Sequence, residues 1–412
     1  MSTNQNVYPI PSVETIRDEF SKAKNVDDFF GGDGIFAKLC APTLNAMLKA
    51  EMDQHLGYPK HSPAGYLSGN TRNGKYNRKL KTSSGEVEIE VPRDRNGQFQ
   101  PEIIDRYQTR TNEFDNKIIA MYGNGMTAQD IADAVVDMYG IELSKDMVSN
   151  ITDKILPLVE EWRIRPLDAI YVITYLDCIH IKLRRDGKVL NTAVYVCLGV
   201  DLEGKKDILG HWIGEGGEGA NFWLSVVSDL QNRGVKDILI SCVDGLIGFK
   251  DAINAVFPDT VVQRCIIHQI RSSLKYVNWK DRKEFVNDLK TVYKAATKTE
   301  AEINFEKVAE KWKGSYAIAI KGWRDNWDEL TQYFEYSKEI RKLIYTTNPV
   351  EGYNRMLRKV TKSKSVFPTE NSVFKMFYLA TRNILKKWTM PIPDWGKLLS
   401  QLAIRFEGRL PL

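Results

Sequence analysis

Two aspartates set at or inside long apolar runs constrain this chain more than any other feature. Residues 239–245, LISCVDG, predict a short buried strand whose C-terminal tip carries Asp244. Residues 171–183, YVITYLDCIHIKL, predict a longer strand with Asp177 in its middle. Taken singly, Asp177 could pair with an arginine, and Asp244 could end a strand at a turn. Together they predict a shared site, because an unpaired carboxylate is costly to bury.

The elements around these acids predict a ribonuclease-H-like mixed sheet. The first three predicted strands follow one another directly and would form an antiparallel meander. A helical crossover then leads to two further strands separated by a helix, which gives right-handed crossovers. The predicted strands occupy residues 171–183, 191–200, 206–213, 237–243 and 261–267, and the predicted helices occupy residues 220–233 and 246–257.

A third acid, Glu351, begins a predicted helix at residues 350–363. Phosphodiester cleavage with two Mg²⁺ ions about 4 Å apart requires only two or three carboxylate ligands. We predict that Asp177 bridges both ions, Asp244 binds one and Glu351 binds the other. Residues 271–345 are helical in pattern and rich in aromatic side chains, which predicts an all-helical insertion before Glu351. These aromatic residues are predicted to be mostly core, with stacking on a flipped base as the alternative.

The helix after Glu351 is basic. Arg355, Arg358 and Lys362 follow Glu351 at intervals of 4, 3 and 4, which places all four residues on one helix face. An ion pair between Glu351 and Arg355 is the alternative, but one acid cannot neutralise all the bases of this region. The excess of cations predicts contact with the phosphates of a nucleic-acid backbone.

The segment at residues 72–81 contains five bases and no acid, with Gly and Asn between them. It predicts a flexible basic loop that grips phosphates, with a solvated surface loop as the alternative. In the next residues Val87, Ile89 and Val91 alternate with glutamates, which predicts a strand with one wet face. The phosphate-binding residues predicted in the loop are Arg72, Lys75, Arg78, Lys79 and Lys81.

A helix-turn-helix pattern occupies residues 114–158, after a helix predicted at residues 34–56 for core packing or dimerisation. Thr127 is predicted to cap the second helix of the pattern and Ser144 the third. Three-helix units of this kind also occur in proteins that bind no nucleic acid. The second helix is predicted to turn inward Ile131, Ala132, Val135, Val136 and Met138, and the third to contact DNA through Lys145, Ser149, Asn150 and Lys154.

Composition sets wider limits on the class of protein. The chain has 412 residues, of which 43% are hydrophobic and 27% charged, as in folded proteins with a sizeable core. A net charge of +5 permits a nucleic-acid partner without requiring one. The N-terminus is polar and no apolar run has membrane-spanning length, so we expect a cytoplasmic protein with no membrane partner. Five scattered cysteines predict reduced thiols.

Cys265 and His268 have the spacing of a metal-ligand pair. A structural zinc site requires four ligands, and no second pair lies nearby in the sequence. We therefore predict that His268 lies near the catalytic centre or forms a hydrogen bond in the core. Cys265, His268 and Asn348 are predicted to be accessory residues of the active site.

Taken together, these motifs resemble the Mutator-like bacterial insertion-sequence transposases, which are DDE enzymes with a ribonuclease-H-like catalytic domain. The resemblance runs from about residue 45 to residue 406 and is specific because several motifs occur together. The family's three acids fall on Asp177, Asp244 and Glu351, and its Cys-x-x-His motif falls on Cys265 and His268. The matching stretches include NGKYNRKLKTSSGEVEIEVPRDRNG, YLDCIHIKLRRDGKV, DILISCVDGLIGF, QRCIIHQIRSSLKYVNWKDRK and YTTNPVEGYNRMLRK.

The resemblance implies Mg²⁺-dependent cleavage at terminal inverted repeats and strand transfer, with Mn²⁺ as a substitute ion. It also implies a circular copied intermediate, a homodimer, terminal-repeat and target DNA as partners, and association with the bacterial nucleoid. Two alternatives use the same residues: a ribonuclease-H-like nuclease or resolvase without strand transfer, and a catalytically vestigial DNA-binding protein.

The predicted fold is an α/β ribonuclease-H-like domain with a mixed five-stranded sheet flanked by helices. An all-helical insertion interrupts it, and a mostly helical DNA-binding region with a small β element precedes it. The predicted divisions are an N-terminal helical, dimerisation and basic β-hairpin region at residues 1–112, a helix-turn-helix region at 113–165, the first catalytic part at 166–270, the insertion at 271–345, and the second catalytic part with C-terminal helices at 346–412.

Overall fold

The computed structural model describes residues 12–29, 34–82, 85–105, 108–214, 220–245 and 248–411. The chain forms two compact units, Met1–Lys154 and Ile155–Leu412. None of the described helices is both long and apolar enough to cross a membrane. All five cysteines lie in the described part of the chain and are free thiols.

The first unit combines helices with a two-stranded antiparallel sheet. Ala37 and Leu48 of the long second helix pack against Val87, Ile89 and Val91 of the second strand, which confirms the alternation predicted for that strand. The elements of this unit are α1 (Val13–Ser21), α2 (Ile35–Leu56), β1 (Arg72–Thr82), β2 (Gly85–Asp94), α3 (Asn112–Gly123), α4 (Ala128–Tyr139) and α5 (Lys145–Asp153).

The prediction of a flexible basic loop at residues 72–81 is wrong, because this segment is strand β1. It pairs with β2 from Arg72 opposite Asp94 to Thr82 opposite Gly85. Gly74 adopts a positive φ of 74° at the register shift between Arg72 and Lys75, so the glycine forms an irregularity inside a strand and does not end one.

Helices α4 and α5 have the predicted caps. Thr127 and Asp130 form a reciprocal capping box at α4, and the Ser144 side chain accepts a hydrogen bond from the backbone N–H of Met147. The inward side of α4 is narrower than predicted. Ile131, Ala132 and Val135 are buried, but Val136 is 44% exposed and Met138 is 51% exposed. Both lie on the solvent side of the helix.

Asp94 at the end of β2 is buried and accepts three hydrogen bonds. The donors are Asn70 Nδ2 at 2.7 Å and the backbone N–H groups of Gln98 and Phe99, each at 3.1 Å. Burial by itself raises the pKa of Asp94, but these hydrogen bonds outweigh burial and lower the pKa to about 2. The ionised carboxylate therefore stabilises the hairpin above about pH 4, the pKa of an unfolded aspartate, and this stabilisation is lost as the pH falls towards 2.

We expect Asp94→Asn to destabilise the hairpin by about 1–3 kcal/mol at pH 7, because it removes charge-assisted hydrogen bonds. The difference from wild type should shrink as the pH falls from about 4 towards 2. Amide hydrogen exchange of β2 at several pH values measures this, with the exposed Asp146→Asn in α5 as the matched control. A difference that does not change with pH would show that the charge of Asp94 is not what stabilises the strand.

The second unit contains a five-stranded sheet in the order β5-β4-β3-β6-β7. Strands β3, β4 and β5 form an antiparallel meander, and β6 and β7 run parallel to β3, so the predicted mixed sheet is confirmed. The strands are β3 (Ile170–Arg185), β4 (Lys188–Val200), β5 (Lys206–Ile213), β6 (Asp237–Val243) and β7 (Val261–Arg264).

The predicted fifth strand at residues 261–267 is too long. Strand β7 ends at Arg264, and Cys265 is the N-cap residue of a helix that begins at Ile266. The apolar residues after Cys265 continue the strand pattern in sequence, but Gln269 and Ile270 are also buried, which is the 3–4 spacing of a helix. The Cys265 and His268 pair therefore lies at a strand-to-helix junction.

Helices pack against the sheet. The segment predicted to be helical, residues 271–345, consists of helices and short connections. Trp223 and Phe249, from the two helices after β5 and β6, pack together in the main core with Tyr195 of β4. The helices of this unit are α6 (Leu156–Ile164), α7 (Ala220–Asn232), α8 (Phe249–Val256), α9 (Ile266–Ser273), α10 (Arg282–Tyr293), α11 (Lys298–Asp325), α12 (Trp327–Thr331), α13 (Lys338–Ile344), α14 (Asn348–Thr361), α15 (Glu370–Leu385) and α16 (Trp395–Arg405).

Candidate functional site

Two of the predicted acids lie side by side on adjacent parallel strands. Leu176 of β3 is in register with Val243 of β6, so Asp177 and Asp244 follow this pair at the same level of the sheet. Asp177 is 8% exposed, and Asp244 is half-buried just past the end of β6. Each acid directly follows this registered pair, so the two acids occupy neighbouring positions where β6 ends.

Asp177 is held by hydrogen bonds at both oxygens. Asn354 Nδ2 donates to Oδ2 at 2.8 Å, and the backbone N–H of Cys178 donates to Oδ1 at 2.8 Å. Burial raises the pKa of Asp177 above its usual value, and the neighbouring Glu351 charge adds to this effect. The hydrogen bonds and the nearby His268 act in the opposite direction.

Glu351 lies in the first turn of α14, where the helix N-terminus favours negative charge. It is bound from α9: Arg271 Nη1 lies 2.8 Å from Oε1, and His268 Nε2 lies 3.5 Å from the same oxygen. Glu351 therefore pairs with α9 and not with Arg355, the alternative partner on its own helix. Because Arg271 and His268 are cations on a neighbouring helix, they compensate the Glu351 charge and fix its direction.

His268 links the three acids electrostatically. Burial by itself lowers the pKa of His268, but hydrogen bonding to Cys265 and the charges of Asp177 and Asp244 raise it to about 9. The same interaction lowers the pKa of the Cys265 thiol against the opposing effect of burial. One imidazole thus interacts with Asp177 and Asp244 and contacts Glu351, so the fold brings all three acids into one neighbourhood.

A buried tyrosine anchors the helix that carries Glu351 and Asn354. Tyr353 is fully buried and its hydroxyl group lies 2.6 Å from both His211 Nε2 on β5 and Thr381 Oγ1 on α15. Burial, with the nearby arginine charges, lowers the pKa of His211 to about 3, so this imidazole is neutral. This neutral hydrogen-bonded chain docks α14 on the sheet and sets the position of its first turn.

The three carboxylates have the donor chemistry that Mg²⁺ prefers, namely hard oxygen ligands on separate elements. Among the described residues, no group of three or more His, Cys, Asp and Glu side chains is arranged closely enough to hold a metal ion. In this structure Asp177 is hydrogen-bonded to Asn354, and Glu351 is paired with Arg271. The residues that could hold the ion are therefore present in one neighbourhood, with polar and basic partners on two of them.

The cations predicted on the helix after Glu351 are solvent-exposed. Arg355, Arg358 and Lys362 make no ion pair or side-chain hydrogen bond within the described ranges of the chain. Uncompensated cations on one exposed face form a positive surface, which attracts phosphates. Asn348, predicted as an accessory residue, is the exposed first residue of the same helix.

The other predicted DNA-contacting residues lie in the first unit, where several are already engaged. Hairpin bases pair across the strands, Lys75 with Glu90 and Lys79 with Glu86 at 2.8 Å. Lys145, Ser149 and Asn150 of α5 are exposed. The remaining partners are Asp53 for Arg72, the backbone carbonyls of Asp105 and Gln108 for Arg78, the backbone carbonyl of Glu142 for Lys81, and Asp115 for Lys154.

The sequence reasoning missed Asn354 and Arg271. Each has a local signal: Asn354 is three residues after Glu351, and Arg271 is three residues after His268, so each pair shares a helix face. The sequence also predicted that the aromatic residues of the segment 271–345 lie mostly in the core. This holds for Phe285 and Trp323, but Tyr276 is 53% exposed and Trp279 is 84% exposed.

Comparison with known proteins gives consistent matches along nearly the whole chain. The model of a family described as "Transposase, Mutator family" matches residues 13–390. A "Probable transposase for insertion sequence element ISRM3-like" from Sinorhizobium fredii is 40% identical over 394 residues, which are 95% of this chain and 97% of that protein. The "Transposase for insertion sequence element ISRM3" of Rhizobium meliloti is 40% identical over 396 residues, with the same shares covered.

A more distant relative and a solved structure are also similar. The "Transposase for insertion sequence element IS1201" of Lactobacillus helveticus is 34% identical over 330 residues, 80% of this chain and 89% of that protein. The solved Drosophila P element transposase strand transfer complex is similar with a TM-score of 0.36 and 9% identity, over 70% of this chain and 94% of that chain. That TM-score is too low to support an argument about this chain.

Proposed function

This chain belongs to the Mutator family of transposases, and we propose that it binds the terminal inverted repeats of its own insertion sequence and catalyses metal-dependent DNA cleavage and strand transfer. The main observation in favour of this proposal is that Asp177, Asp244 and Glu351 all lie near His268. Three carboxylates on two adjacent strands and one helix suit phosphoryl transfer, in which positioning and charge compensation do most of the catalytic work.

We propose that the second unit is a ribonuclease-H-like catalytic domain with an all-helical insertion. The sheet order β5-β4-β3-β6-β7, with its antiparallel meander and two parallel strands, supports this assignment. Asp177 lies on the central strand of this order and Asp244 ends the neighbouring strand. This arrangement places Asp177 beside Asp244 at the C-terminal end of β6, where side chains from a returning helix can join them.

Asp177, Asp244 and Glu351 would hold Mg²⁺, with Mn²⁺ as a substitute. Bound there, the ions would supply Lewis-acid stabilisation of the phosphate and a lowered pKa for the attacking water or hydroxyl. The protein's own contribution is orientation: Asn354 fixes the Asp177 carboxylate, and Arg271 and His268 fix Glu351. Arg271 and His268 also supply positive charge where a phosphate would approach.

DNA contacts are proposed on two parts of the chain. Arg355, Arg358 and Lys362 would contact phosphates near the acids, because they continue along the same helix as Glu351 and have no described acidic partner. In the first unit, Lys145, Ser149 and Asn150 line the exposed face of α5 and would contact the terminal repeats. We also propose a homodimer on DNA, since the two ends of an element must be held together for joining.

The proposal is tested with the DNA that flanks this gene as the substrate. Wild-type protein is incubated with the DNA and either Mg²⁺ or a chelator, and the products are mapped at nucleotide resolution. We expect nicks at the element ends and joined molecules in Mg²⁺, and neither with the chelator. Nicks without joined molecules would favour a nuclease or resolvase. Salt-dependent binding with neither product would favour a vestigial, DNA-binding protein.

The exposed bases of α14 give a prediction about affinity. We expect Arg355→Ala with Arg358→Ala to weaken DNA binding and to lower the slope of log affinity against log salt by about 1 for each phosphate that is no longer bound. Binding is measured by fluorescence anisotropy over a series of salt concentrations. Lys307→Ala with Lys321→Ala, two exposed bases of α11, is the matched control. A salt slope equal to that of wild type would count against phosphate binding at α14.

A further inference from the structure

A large cavity lies in the helical segment 271–345, outside the group of acids described above. Its volume is about 660 Å³, within the usual range for small-molecule sites. The lining comes from the end of α10, the residues that follow it, and the stretch from Tyr333 to Tyr345. We call this the tyrosine cavity, because four of its lining residues are Tyr293, Tyr333, Tyr336 and Tyr345.

The charge of the tyrosine cavity is entirely positive. Four cations line it, Lys294, Lys338, Arg341 and Lys342, and no acid is among its lining residues. The three lysines are exposed and form no ion pair with any residue that the structure describes. Such a lining favours an anionic ligand, because lysine ammonium groups without local counter-charges raise the local concentration of anions.

Arg341 is the rigid part of this lining. Its guanidinium donates to the backbone carbonyls of Tyr336 at 2.7 Å, Phe334 at 2.9 Å and Ala296 at 2.9 Å. These bonds fix the cation at the wall without neutralising its charge, because the acceptors are uncharged. A second polar group, the buried Ser337 hydroxyl, finds no hydrogen-bond partner among the described residues.

The tyrosine rings form an aromatic side of the cavity, and one of them, Tyr333, is held in place by hydrogen bonds. Tyr333 is buried, its hydroxyl group donates to the backbone carbonyl of Tyr293 at 2.9 Å, and its backbone N–H donates to Gln263 of β7 at 2.7 Å. The Tyr345 ring centre lies 6.2 Å from that of Tyr333. Tyr293 and Tyr345 are partly exposed, so their rings are accessible to a planar ligand.

We propose that the tyrosine cavity binds a nucleotide, with the base against Tyr293 or Tyr345 and the phosphate against the lysines and Arg341. Aromatic rings beside uncompensated cations suit a ligand that is both planar and anionic, and a nucleotide is both. The main source of this nucleotide would be an unpaired position of the bound DNA, and to that extent the inference rests on the proposed function. Tyr345 of the cavity lies two residues before Thr347, whose Oγ1 is 3.4 Å from His268 Nδ1, so the chain that lines the cavity leads towards the group of acids.

The test uses full-length protein and two probes that contain 2-aminopurine, whose fluorescence is quenched on stacking. One probe is the free 2-aminopurine deoxyribonucleoside monophosphate, and the other is a single-stranded oligonucleotide with one 2-aminopurine. We expect quenching with at least one probe, and an affinity about tenfold weaker in Tyr345→Leu and in Lys294→Ala with Lys342→Ala. Lys307→Ala, an exposed base among the glutamates of α11, should bind as wild type does.

Quenching with neither probe would overturn the proposal. Quenching with the oligonucleotide alone identifies strand DNA as the source, and quenching with the monophosphate as well identifies a free-nucleotide site. Affinity unchanged in the lysine variant and in Tyr345→Leu would overturn the proposal, because the lysines are exposed and their removal leaves the fold intact. The variant Asp244→Asn distinguishes this proposal from the proposed function. It should still quench the probes but should no longer cleave DNA, so one proposal can fail while the other holds.

Discussion

Replacing any one of Asp177, Asp244 and Glu351 by its amide should abolish strand cleavage and leave DNA binding largely unchanged. Asp177→Asn, Asp244→Asn and Glu351→Gln each keep the shape of the side chain and remove a negative charge that a divalent ion requires. We expect the cleavage rate to fall by about 100-fold or more, because removal of one ligand charge takes away several kcal/mol of transition-state stabilisation.

The measurement compares cleavage of element-end DNA with binding of the same DNA by each variant. Asp251→Asn, an exposed acid of α8 in the same unit, is the matched control and should cleave as wild type does. Loss of DNA binding in all three amide variants would contradict the proposed division of work between the acids and the basic surfaces. Wild-type cleavage in any one variant would remove that residue from the proposed site.

The second large effect concerns stability. Trp223 of α7 is fully buried, with its ring centre 4.6 Å from that of Tyr195 and 4.4 Å from that of Phe249. Trp223→Ala should lower the free energy of unfolding by about 3–5 kcal/mol, because less apolar surface is buried and a cavity remains. Since helix α7 crosses between β5 and β6, the substitution should also loosen the strand that leads to Asp244.

Urea unfolding followed by circular dichroism measures this effect. Trp279→Ala is the matched control, because Trp279 is 84% exposed and its removal leaves no cavity. Unfolding at the same urea concentration in both variants would show that the packing of Trp223 contributes little to the stability of the sheet.

The strands were predictable from sequence wherever local pattern and tertiary environment agree. Residues 206–213 and 237–243 were predicted with the boundaries that β5 and β6 have. Both contain adjacent apolar residues that are buried in the sheet, Ile208 and Leu209 in β5 and Ile238, Leu239 and Ile240 in β6, so the sequence pattern matches the environment. The caps of α4 and α5 were predictable for a similar reason, because Thr127 with Asp130 and Ser144 satisfy backbone N–H groups only three residues away.

Prediction failed where pairing or packing with another element determines the local structure. The segment 72–81 contains Gly and Asn and has the composition of a loop, but pairing with β2 holds it as strand β1. The apolar residues after Cys265 continue a strand pattern, but the helical register of α9 buries them instead. In both cases the tertiary contacts outweigh the local preference of the residues, as is usual for strands and short helices.

The order of residues along the chain is enough to identify the unusual ones: acids in apolar strands, an acid that begins a basic helix, and a segment rich in aromatic side chains. It does not show which of them meet. Asn354 and Asp177 are 177 residues apart and Arg271 and Glu351 are 80 apart, yet each pair is hydrogen-bonded. The tyrosine cavity likewise exists only after α10 and α13 have packed. Composition and spacing record what each residue can do, but hydrogen bonds and charge compensation depend on distances of a few ångströms that only the folded chain sets.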